Sequence, residues 1–215
     1  MAAESRLVVS MVPGKRTTDS TEALIQDFAE RTDYQAPALF VSDEYAAYAT
    51  ALASQYSDVV TPSRTGKRGR PQHPYKVPSS ELVYATVQKE REKGRVVNVE
   101  CRLVYGTQQQ LEAALCTSPV SSTINTSFVE RYNGTDRCFN SRKVRKTYEF
   151  SKERELHEAA TWFGVTVYNF CRPHRGLCIK REDGSVYQRT PAMAAGLVSR
   201  PITLTDIMHT QLFSN

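Results

Sequence analysis

Residues 6–12 (Arg-Leu-Val-Val-Ser-Met-Val) and 38–43 (Ala-Leu-Phe-Val-Ser-Asp) are short, β-branched and almost continuously apolar, and a helical periodicity follows each of them. This alternation constrains the fold more than any other feature. Runs of that kind suit strands covered on both faces. Pro13-Gly14 ends the first run. Asp19 or Ser20 then caps a predicted helix reaching to about Arg31, with Ala23, Leu24, Asp27 and Phe28 at helical spacing. After the second run, Tyr45, Tyr48 and Leu52 fall at i, i+3 and i+7 on one helical face. Strand, helix, strand, helix predicts an α/β architecture with right-handed crossovers, in which ligands sit beyond the C-terminal ends of the strands. Asp43, the last residue of the second run, is delivered to that position.

The middle of the chain breaks the rhythm. Residues 82–88 and 96–104 read as two strands joined through the charged stretch 89–94, a β-hairpin insertion, with a helix over 108–115. From about Ser122 a helical pattern resumes, with Ile124, Phe128, Tyr132 and Phe139 along one stripe and Glu130, Gly134 and Arg137 on another face. The longest predicted helix starts after Ser151 as N-cap, carries Leu156, Ala160, Phe163, Val167 and Phe170 as its core stripe, and stops before Pro173. Thr190-Pro191 opens a short helix that Gly196 closes, and one more helical turn follows Pro201. Trp162 and Tyr168 read as core or interface residues.

Composition excludes several classes. At 40% hydrophobic residues over 215 positions the chain has material for a real core, no apolar run is long enough to span a membrane, and no signal-peptide pattern opens it. A soluble, intracellular chain is the expectation. The 5 cysteines are scattered without metal-ligand spacing and read as incidental thiols. His73, His157 and His209 have no partner pattern. The net charge of +5 is modest, but it is concentrated. Residues 61–76 contain Arg64, Lys67, Arg68, Arg70, His73 and Lys76 and no acid, and a second cluster holds Arg137, Arg142, Lys143, Arg145, Lys146, Lys152 and Arg154. Such stretches serve to neutralise nucleic-acid phosphates, where each bound cation releases counterions. By charge alone, a solvated loop and a solvated helix face fit equally well.

Asp43 alone also reads as the N-cap of the following helix, and Glu130 alone as a surface helix partner. Four local sequences taken together change the weighing. Ser42-Asp43-Glu44-Tyr45-Ala46-Ala47-Tyr48 is followed by Phe128-Val129-Glu130-Arg131-Tyr132-Asn133-Gly134-Thr135-Asp136-Arg137. Then come Tyr168-Asn169-Phe170-Cys171-Arg172-Pro173-His174-Arg175-Gly176-Leu177 and Arg189-Thr190-Pro191-Ala192-Met193-Ala194. In this order they resemble the catalytic core of DDE-type transposases of insertion sequences, which share the ribonuclease H-like fold with retroviral integrases. The resemblance runs from about Glu4 to Leu177 and more weakly to Ile207.

The resemblance implies an α/β, ribonuclease H-like core, a mixed sheet flanked by helices, over residues 1–178. It lacks strand one and is interrupted at about 57–118 by the basic loop and the hairpin insertion. A helical C-terminal extension follows over 179–215. The implied reaction is cleavage and strand transfer of DNA with two Mg²⁺ ions held by three carboxylates. Mg²⁺ is a hard cation that takes carboxylate and phosphate oxygens, and a pair of such ions assists both the attacking and the leaving oxygen. Asp43 and Glu130 match the second and third carboxylates, and Arg137 matches a basic position that contacts a DNA phosphate. Arg64, Lys67, Arg68, Arg70, Arg142, Lys143, Arg172 and His174 complete the expected DNA-binding set. The first aspartate would fall at about Ala2, where there is none, so an N-terminally truncated core with impaired metal binding is expected. The implied setting is the prokaryotic cytoplasm, at the nucleoid. The implied partners are DNA, another copy of the chain or an intact transposase, and no membrane. Two other readings compete: a DNA-binding remnant without catalysis that interferes with an intact transposase, and a ribonuclease H-like nuclease that cuts without joining.

Overall fold

Thr17 starts the first helix: its side chain accepts the Ser20 N–H at 3.3 Å, the job of an N-cap, and α1 runs Thr18–Arg31. The cap thus falls just before Asp19 and Ser20, the residues expected to supply it. The computed structural model describes residues 1–62, 73–144 and 146–209. It divides into two units, Ser10–Thr126 and a second formed by Met1–Val9 with Ser127–Asn215.

In the first unit α1 leads to β1 (Phe40–Asp43), α2 (Ala46–Gln55), β2 (Ser57–Val60), β3 (Tyr75–Pro78), β4 (Tyr84–Glu92), β5 (Arg95–Tyr105) and α3 (Gln108–Thr117). The main sheet has the order β1-β4-β5. β1 runs parallel to β4, with Asp43 opposite Val87, and β4 runs antiparallel to β5. The sheet is therefore mixed, as expected. Ile25 and Ala29 from α1 and Ala51 and Leu52 from α2 close over Leu82 and Tyr84, with Phe40, Val104 and Tyr105 packed against them. Ile25, Leu52 and Leu82 each contribute roughly 1.5–3 kcal/mol by leaving water, and each alanine methyl about 0.8 kcal/mol. Thr107 and Gln110 form a reciprocal capping box at the start of α3. Gly106, with φ +91°, precedes it where a Cβ would lie 3.2 Å from the Leu82 carbonyl, so a side chain is excluded there twice over.

The hairpin is longer than its apolar residues suggest. The charged residues 89–92, expected in the turn, continue β4. The turn itself is Lys93-Gly94, with φ +48° and +82° and Glu92 opposite Arg95, the two positive φ values of a type I′ connection. Most of residues 88–102 are exposed, so charges on either face of this part of the ladder stay hydrated. β2 and β3 pair with each other within the stretch read as a basic loop.

The second unit holds α4 (Ser127–Phe139), α5 (Arg154–Thr166), the short pair β6 (Ile179–Lys180) and β7 (Val186–Tyr187), α6 (Pro191–Ala194) and α7 (Leu204–His209). The helix expected from about Ser122 begins at Ser127, because Asn125 and Thr123 fold back onto Ser121 in a turn. α5 passes directly into a π-helical segment, Val167–Cys171, closed by the Arg172 N–H donating to the Val167 carbonyl at 3.2 Å. The expected core stripe of α5 is not its buried face: Leu156 and Phe163 are 57% and 53% exposed, while Thr161, Val165, Tyr168 and Asn169 are buried. Residues beyond 178 include a hairpin as well as helices, and they bond back to the second unit: the His174 N–H donates to the Arg189 carbonyl and the Ile202 N–H to the Phe170 carbonyl, both at 2.9 Å.

The strand expected over residues 6–12 is absent. Apolarity demanded burial, and Val8 is buried, but the run is split between the two units after Val9 and Arg6 takes φ +60°. No ladder partner among the described residues meets it. The Val8 N–H and carbonyl are bonded instead by the side-chain amide of Asn169, at 3.0 and 2.9 Å. No helix among the described residues is long and apolar enough to cross a membrane.

Candidate functional site

Parallel pairing of β1 with β4 fixes where Asp43 emerges. Its neighbour Ser42 is anchored by a 2.6 Å hydrogen bond with the Tyr84 hydroxyl, and Asp43 itself is exposed at the strand end. The carboxylate accepts the Tyr45 N–H at 3.4 Å, the weak bond of a residue leading into α2. Its stronger partner is Arg16, whose Nη2 lies 2.7 Å from Oδ2. The Arg16 guanidinium also sits 4.3 Å from the centre of the Tyr45 ring, and the Tyr45 hydroxyl donates to the Arg16 carbonyl at 3.4 Å. With the two side chains 60% and 55% exposed, the ion pair contributes about 0–1 kcal/mol, so it holds the carboxylate without locking it.

Glu130 lies in the first turn of α4 and Arg137 in its last turn, both exposed. Glu130 belongs to the second unit and Asp43 to the first. Beyond α4, Arg142 and Lys143 form a short 3₁₀ turn capped by Asn140. Arg142 lines an open cleft of about 660 Å³ with Tyr148, Glu149 and Phe150. Lys143 is not presented to solvent: its Nζ lies 2.8 Å from Asp136, and both side chains are only 15% exposed. Arg172 stacks over Phe139 at 4.0 Å.

His174 sits in a row of rings, 5.0 Å from Tyr168, which is 4.8 Å from Tyr132. Its pKa is lowered by burial first and then by Arg6, Arg131 and Arg172, so cations approach it from three segments of the chain. Burial raises the Tyr168 hydroxyl, opposed by Arg6. Arg172 and His174 are thus brought together with Arg6 and Arg131, and Lys143 with Asp136. Arg64, Lys67, Arg68 and Arg70 lie outside the described residues.

Sequence reasoning missed Arg16, Arg6, Arg131 and the anchoring role of Asn169. Arg131 and Asn169 lie inside the recognised local sequences, but no spacing rule links residues 161 positions apart, as Val8 and Asn169 are. Among the described residues, no group of three or more His, Cys, Asp or Glu side chains is placed to hold a metal ion. Of the three carboxylates that the family resemblance implies for two ions, the described residues offer Asp43 and Glu130, one on each unit. Comparison of the chain with protein-family models, curated proteins and solved structures finds no match.

Proposed function

We propose that this chain acts on DNA in transposition, as a protein of the DDE transposase type with a ribonuclease H-like fold. The observation that carries the reading is Asp43: an exposed carboxylate on the last residue of a strand that runs parallel to its neighbour, where α/β sheets present their ligand sites. The exposed Arg137 and Arg142 give it surface cations for DNA phosphates. Mg²⁺ is the ion the intact family site uses, and the described residues supply no complete set for it.

A second reading is favoured by the ion pair that Arg16 makes with Asp43. In it the chain binds DNA without cutting it, alone, as an oligomer or beside an intact transposase. One pair of measurements separates the readings. Fluorescence anisotropy with duplexes carrying the ends of the encoding element should show affinity falling on the order of 10³-fold between about 50 and about 200 mM salt. A flat salt response removes DNA as the partner. Incubation of the same duplexes and a target duplex with Mg²⁺ then decides about chemistry: cleavage with joining of the cut end to the target, both lost in Glu130→Ala, supports the transposase reading, cleavage without joining supports a nuclease, and binding without cleavage supports the remnant.

A further inference from the structure

Some cations of the second unit are paired with a carboxylate and others are not. Lys143, Arg154 and Arg200 each lie 2.6–2.9 Å from a carboxylate. Arg6, Arg131 and Arg172 have no such partner among the described residues, although three of these four neighbouring groups, with His174 as the fourth, are permanently charged.

Arg6 is the most costly of them. Its backbone has φ +60°, a region that residues with side chains rarely enter and that recurs at ligand-holding positions. Its guanidinium lies 4.0 Å from the centre of the Phe128 ring on α4, and Nη2 lies 3.6 Å from the point where a Cβ on Gly176 would sit. Nε is buried and has no acceptor. Burial and the like charge of Arg131 both weaken its hold on its proton. A strained backbone, a desolvated cation, an orphaned donor and like-charged neighbours all disfavour the arrangement as it stands, and a single anion would offset the last three together. A planar guanidinium beside a second arginine and an imidazole matches the tetrahedral oxygens of a phosphate. Glycine at 176 leaves the approach to Nη2 free of a side chain.

We propose that Arg6, Arg131 and His174 form a binding site for one phosphate group of the DNA backbone. The proposal rests on the DNA reading above for the source of the phosphate, and on the unit's own geometry for the site. Bound phosphate supplies the acceptor that Arg6 Nε lacks and draws a proton onto His174.

The test uses the full chain, inorganic phosphate and element-end DNA. Inorganic phosphate should raise the melting temperature of the wild type above that in chloride at equal ionic strength, and should raise the midpoint of His174 titration followed by NMR. Arg131→Gln, on an exposed position of α4, should keep the melting temperature in chloride within about 2 °C. It should lose the phosphate response, weaken DNA binding about tenfold, and lower the salt slope by about one. Arg6→Met serves as the second variant, with the same losses and no lower stability in chloride. Wild-type DNA binding that both variants retain, with unchanged slope and no phosphate-specific stabilisation, overturns the site and leaves the function standing. A phosphate response lost in the variants while the wild type ignores DNA overturns DNA as the source and, with it, the functional reading.

Discussion

The side chain of Asn169 occupies both hydrogen-bonding groups of Val8: its Nδ2 donates to the Val8 carbonyl at 2.9 Å and its Oδ1 accepts the Val8 N–H at 3.0 Å. A carboxamide here does what a neighbouring strand would do, for one residue. Both residues are buried, so neither backbone group has water to fall back on. Asn169→Ala should therefore cost about 2–4 kcal/mol in urea unfolding, the penalty of two buried groups left unpaired. Asn169→Asp keeps the acceptor and loses the donor, setting a carboxylate against the Val8 carbonyl. The folded state then favours the protonated acid, so its pKa rises above the unfolded value. Its deficit should grow as pH rises through about 4 and shrink at lower pH, where the acid can donate. A deficit independent of pH would contradict this role for Asn169.

Lys143 and Asp136 form a largely buried ion pair, at 2.8 Å with both side chains 15% exposed. Removing one member strands the other, so Lys143→Met should destabilise by about 2–4 kcal/mol. The double variant Lys143→Met/Asp136→Leu should recover most of that loss, since two apolar side chains replace two charges. Chemical denaturation of the three proteins checks it. On the DNA reading, Arg142→Gln, at the neighbour that stays exposed, should instead lower DNA affinity with stability kept within about 0.5 kcal/mol.

Tyr132 is buried on α4, and its hydroxyl has no hydrogen-bond partner. Burial, and then the charges near Asp136 and Tyr168, push its pKa up, so it stays neutral and the hydroxyl brings only a desolvation cost. Tyr132→Phe keeps the edge-to-face contact with Tyr168 and should leave stability unchanged or raise it by up to about 1 kcal/mol. A loss larger than that in thermal unfolding would mean that the hydroxyl is bonded.

Asp206 near the chain's end is held at about 2 by the hydrogen bond from Arg200 and by the Thr203 N–H and hydroxyl. Its folded pKa is depressed, so its contribution is fully present above the unfolded value near 4 and is lost as pH falls toward 2. Carboxyl NMR should show the low midpoint in the wild type and a midpoint shifted upward in Arg200→Ala. The backbone signals of α7 should broaden over the same pH interval.

Much of the first unit is legible in its residues. Phe40 to Asp43 forms a strand as its apolar run predicts, and the helices expected after it and over 108–115 form as α2 and α3. What was not legible has physical causes. The run containing Val8 reads as a strand because apolar residues report burial and say nothing about pairing. Leu156 and Phe163 read as core because they are apolar at helical spacing, whereas the buried stripe is Thr161, Val165 and Tyr168 at i, i+4 and i+7, a face that opens on a polar residue. Asp43 was legible as a carboxylate at a strand end. Its clamp, Arg16, was not, because an ion pair across 27 positions follows from the folded path alone.

The wide turn at Val167–Cys171 gives the chain room for a change in length. Each residue advances an α-helix by roughly 100°, and a π turn accommodates one more residue per turn than an α turn. Deleting a single residue between Val167 and Cys171 would let the turn close as an α turn with the residues before and after it still on their own faces, whereas the same deletion within Arg154–Thr166 would rotate every later side chain. A one-residue loss is therefore milder in this segment than in the helix that precedes it.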